Sequence, residues 1–75
     1  MKIFGYKNKE VNEYGLLEMK EITFRASPDS LRAVAKLLTD SADRIEQNPG
    51  SIDHLHLQDT WREWQEEYPD VIVAE

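Results

Sequence analysis

The chain has 75 residues, 40% hydrophobic and 32% charged, with a formal charge of −6 and no cysteine. This is globular composition at a size that predicts one small domain, residues 1–75, burying about 60% of the surface its unfolded form exposes. Without cysteine there is no disulfide, thiolate zinc site or thiol nucleophile, and with neither an apolar run of roughly 18 residues nor a signal-peptide pattern a cytoplasmic protein is expected.

Met1–Tyr6 (MKIFGY) mixes apolar and aromatic residues as strands do, with Gly5 at a candidate bulge, and the polar Lys7–Asn12 suits a loop or hairpin connection. Residues 16–26 (LLEMKEITFRA) carry the best strand signal in the chain. Leu17 and Met19 alternate with Glu18 and Lys20, and Ile22, Phe24 and Ala26 alternate with Thr23 and Arg25. The step of three from Met19 to Ile22 would put the two sets on opposite faces of a regular strand. A bulge near Lys20–Glu21 returns them to one face.

Ser27-Pro28-Asp29 starts a helix. Ser27 caps, Pro28 suits the first helical position, and Asp29 complements the positive end of the dipole. Ser30 stands where Glu or Gln would close a capping box. Leu31, Val34, Ala35, Leu38, Ala42 and Ile45 recur at helical spacing as far as Gln47, and Asn48-Pro49-Gly50 stops the helix. Ser51–Asp59 alternates His54, Leu55, His56 and Leu57 like a short strand. Thr60 and Glu63 fit a capping box for a helical turn that sets Trp61, Trp64 and Tyr68 on one side. Tyr68-Pro69-Asp70 breaks that turn, and Val71-Ile72-Val73 is typical of a buried strand. The order predicts an α+β fold: a small, mainly antiparallel sheet of about four strands with one long amphipathic helix packed on one face. The helix stripe, Ile22 and Phe24 are the expected core.

The charge is one-sided. Residues 1–52 hold eight acidic and eight basic residues, whereas residues 53–75 hold seven carboxylates against Arg62 alone. Such a field repels nucleic-acid phosphates and anionic lipid, and it steers a basic partner toward that third of the chain. A net charge of this size also serves solubility alone.

Asp53, His54, His56 and Asp59 form the one constellation with ligand chemistry. Two imidazoles on one strand face lie about 6.5–7 Å apart. However, Asp53 and Asp59 fall in phase with Leu55 and Leu57, on the other face. His54 and His56 are therefore weak metal candidates, equally suited to facing water or bonding to nearby acids. No nucleophile elbow, phosphate-cradling glycine loop or evident cleft appears, so neither catalysis nor a cofactor is expected. Trp61, Trp64 and Tyr68 interleave with Arg62, Glu63, Glu66 and Glu67. They suit a flap over the core or anchors on a protein interface, and their acidic setting disfavours base stacking.

Three segments carry a resemblance to a known family: LLEMKEITFRASP (residues 16–28), DHLHLQD (53–59) and PDVIV (69–73). They resemble immunity protein family thirty-two of bacterial polymorphic toxin systems. The resemblance implies an intracellular protein that binds a toxin and blocks it, without catalysis or cofactor. The resemblance carries over no contact residues; the one-sided charge and the aromatics of the same segment nominate Asp59, Trp61, Trp64, Glu66, Glu67, Tyr68 and Asp70 as the docking surface for a basic toxin. From another class, a small structural or assembly subunit, homodimeric through an exposed sheet edge, also fits.

Overall fold

The computed structural model describes residues 1–11 and 16–75. Two strands, β1 (Lys2–Val11) and β2 (Leu17–Arg25), lead into a 20-residue helix, α1 (Pro28–Gln47). Then come β3 (His54–His56), a single helical turn α2 (Leu57–Thr60), and β4 (Ile72–Ala74). The architecture is α+β. Its strands form two antiparallel pairs, β1 with β2 and β3 with β4, rather than one sheet of four. Lys7–Val11, expected as a connection, continues β1; Asn12 lies outside the described residues.

The hairpin register explains the broken alternation of its second strand. Tyr6 faces Glu21 and Lys7 faces Met19, so Lys20 is an extra residue on β2. This bulge puts Met19 on the same face as Ile22 and Phe24. The Met19 methyl lies over Gly5, where a Cβ would also stand 2.6 Å from the Glu21 carbonyl oxygen. Glycine is required there by close approach.

The ends of α1 follow local chemistry. Ser27 is extended (φ −69°, ψ 163°) and its Oγ accepts the Ser30 N–H at 3.2 Å. Beyond the helix, Gly50 takes φ +83°, its N–H donates to the Glu75 carboxylate, and Ile52 N–H donates to the other oxygen of that group at 3.4 Å.

The face that α1 buries overlaps the expected stripe only in part: Val34 is buried and Ile45 half-buried as expected. Ser30, Val34, Leu37 and Ser41 point inward, whereas Leu31 is 44% and Leu38 50% exposed. The helix is rotated about its axis relative to its apolar periodicity. Two serines tolerate burial because each finds a local partner: Ser41 Oγ donates to Leu37 O at 2.7 Å, and Ser27 Oγ donates to Ser30 Oγ at 3.2 Å. Small buried residues also let the helix approach the layer beneath it. That layer centres on Leu57, which is fully buried with Val34 and Leu37. Phe24, Leu55, Trp61, Trp64, Val71 and Val73 pack around them. Phe24 joins the core as expected; Ile22 remains 57% exposed.

Candidate functional site: an acidic, aromatic loop

Residues 57–71 leave the β3–β4 pair and return to it, and their ends are fastened together. Leu57 N–H donates to Val71 O at 2.8 Å, and Gln58 N–H donates to the Asp70 carboxylate at 3.0 Å. The other Asp70 oxygen meets His56 Nδ1 at 2.6 Å. A carboxylate accepts only, so Nδ1 carries the proton and donates. Burial alone would raise the Asp70 carboxyl. The Gln58 N–H, the His56 imidazole and the Val71 N–H together outweigh burial and hold it below the usual carboxylate range.

Inside this neck the chain turns repeatedly. The helical turn precedes Thr60 instead of starting from it: α2 ends there, with Trp61 N–H donating to Leu57 O at 2.9 Å. Thr60 Oγ1 donates back to His56 O at 3.2 Å and so closes the turn at its C-terminal side. Two tighter turns follow, Trp64 N–H to Trp61 O at 3.1 Å and Tyr68 N–H to Gln65 O at 2.9 Å. Trp61 and Tyr68 stack, with ring centroids 5.9 Å apart and planes at 16°. The Trp64 indole donates to Pro69 O at 3.2 Å. Loops of this length, with close ends and their own side chains packed inside, are frequently functional.

The nominated residues divide by position. Asp59, Glu66 and Glu67 are exposed, together with Glu63. Trp61, Trp64 and Tyr68 are half-buried: both indoles pack against the core, and Tyr68 stacks on Trp61. Asp70 is half-buried and committed to internal bonds, so it fastens the loop rather than projecting from it. The two histidine rings lie 6.3 Å apart, tilted by 45°, and each Nδ1 has a separate acid: Asp53 at 3.3 Å for His54 and Asp70 for His56. Among the described residues, no group of three or more His, Asp or Glu side chains converges as a metal site would require.

A furrow runs between the loop and α1, with Trp61 as its shared wall. One part, about 370 Å³, is floored by Ala33, Leu37 and Leu55 and rimmed by Lys36, Asp40, Asp43 and Arg44. The adjoining part, about 410 Å³, adds Asp29, Arg32 and Glu63. Lys36 and Asp40 pair across the rim at 2.8 Å, and that hydrogen bond raises the lysine above its ordinary value. Sequence reasoning missed this helix flank. Ala33, Lys36, Leu37, Asp40 and Arg44 do recur at helical spacing, but mixed chemistry hides that stripe from an apolar search.

A family model described as Immunity protein 32 matches residues 21–75. The chain belongs to the Immunity protein 32 family. The match includes β2 from Glu21 onward, α1, and the whole of the acidic, aromatic loop. No curated protein and no solved structure matches the chain. Among the described residues, no helix is long and apolar enough to cross a membrane.

Proposed function

We propose that this chain is a non-catalytic immunity protein that binds a basic protein toxin in the cytoplasm and neutralises it through the loop at residues 57–70. The observation that carries this reading is the union of family and charge. An Immunity protein 32 member implies a toxin as partner, and residues 53–75 concentrate the whole net charge of −6 around an ordered loop. Long-range attraction between opposite charges raises association rates, while aromatic side chains in a dewetted contact hold the complex together. Glu63, Glu66, Glu67 and Asp59 supply the field. The half-buried rings of Trp61 and Tyr68 supply anchors whose stacking limits the side-chain freedom lost on binding.

The chain, immobilised, is used to capture proteins from the native cell at low and at high salt. The captured protein is then expressed alone and with this chain. A basic protein released by salt, which arrests growth alone and not in the presence of this chain, supports the reading. A captured protein that is harmless, or whose toxicity the chain does not relieve, overturns it.

A further inference from the structure

The two histidines of the chain stand on the outer face of the β3–β4 pair. Successive strand residues alternate sides, so Leu55 and Val73 turn to the core while His54 and His56 turn away from it. Across the strands on that outer face lie Ala74 and Ile72, whose side chains carry no donor atom. Both rings reach solvent: the His54 side chain is 54% and the His56 side chain 33% exposed.

Each imidazole has a carboxylate at Nδ1, Asp53 at 3.3 Å for His54 and Asp70 at 2.6 Å for His56. Asp70 is the firmer hold, since it is 20% exposed and also accepts from Gln58 N–H. A carboxylate accepts only, so in the neutral ring the proton sits on Nδ1 and the lone pair on Nε2. Metal-ligating histidines have this tautomer and this second contact, because the acid fixes the ring and makes the free nitrogen more basic. The two rings are also at a chelating separation. An ion held by two imidazole nitrogens at about 2.0–2.1 Å leaves the ring centres about 4.5–6.4 Å apart as the N–metal–N angle opens from about 90° to 180°. The ring centres here lie 6.3 Å apart.

We propose that His54 and His56 chelate one divalent first-row transition-metal ion through their Nε2 atoms. Among the described residues, three protein ligands do not converge, so water fills the remaining positions. The site is a surface chelate, not a closed zinc centre. Imidazole suits copper, nickel and zinc, and the general order of affinity puts copper(II) first. The seven carboxylates of residues 53–75 draw cations toward the pair. The ion also acts on the neighbouring loop. Metal on Nε2 makes the opposite N–H a stronger donor, so the His56–Asp70 bond at the loop's neck tightens when the ion binds. This proposal is independent of the toxin-binding reading.

Calorimetric titration of copper(II) into the full chain tests it, at neutral pH in a buffer that does not bind metal. One ion per chain is expected, with a dissociation constant on the order of 10 μM and weaker binding of zinc(II). His54→Ala and His56→Ala should each weaken copper(II) at least about 10-fold, and Asp70→Asn by a similar factor through its lost hold on the ring. Glu46→Gln, exposed on α1, should leave the affinity unchanged. Circular dichroism shows whether the variants fold. If His56→Ala or Asp70→Asn does not, NMR of the wild type decides: paramagnetic copper(II) should broaden the ring signals of both histidines before all others. Binding that survives folded variants at both histidines overturns the proposal. So does the absence of binding at about 1 mM copper(II), or broadening that begins at the carboxylates of residues 59–67.

Discussion

At the scale of single residues, Asp70 holds the loop closed. Its carboxylate accepts from Gln58 N–H and from the His56 ring, joining the end of the loop to its beginning. Because these bonds lower its folded-state value, the stabilisation is fully present above the ordinary carboxylate range, near about pH 4. It is lost as pH falls through the lower folded value. Asp70→Asn keeps the shape but removes the charge, and should cost about 1–2 kcal/mol at neutral pH. Thermal unfolding of both proteins at neutral and strongly acidic pH checks this: the gap between them should shrink in acid. Gly5 makes the opposite demand, for absence of a side chain. Gly5→Ala drives a Cβ against Met19 and the Glu21 carbonyl, a backbone atom that shifts less readily than a side-chain end. A loss of about 1–3 kcal/mol in denaturant unfolding is expected.

At the scale of elements, α1 depends on its cap. Ser27 is the side chain that meets the Ser30 N–H, so Ser27→Ala should lower stability by about 1 kcal/mol in the same unfolding assay. That cap, the stop at residues 48–50 and the bulge at Lys20 were all legible in the sequence, because each is decided by neighbours along the chain. The direction in which α1 faces was not legible. Of its richest apolar stripe Val34 is buried, whereas Leu31 and Leu38 are exposed, and the buried face contains Ser30 and Ser41. Periodicity records what a helix can bury, whereas the partner layer decides what it does bury. The loop was half legible for the same reason. The sequence marks its aromatics and acids, but the Trp61–Tyr68 stack and the role of Asp70 depend on contacts made only after β4 returns beside β3. The split into two strand pairs is likewise a long-range outcome that strand patterns do not encode.

At the scale of the whole molecule, charge and apolar surface are segregated. The acidic third of the chain contains a loop fastened at its neck, while most of the exposed large apolar residues lie on the hairpin and the flank of α1. The central claim is that the acidic loop steers and docks the toxin. The most direct measurement is the association rate of the captured toxin with the wild type and with the doubly reversed Glu66→Lys, Glu67→Lys variant, at low and high salt. Both side chains are exposed, so the variant should fold. The account predicts association at least about 10-fold slower at low salt, with the difference largely gone at high salt. Equal rates at both salts would contradict it.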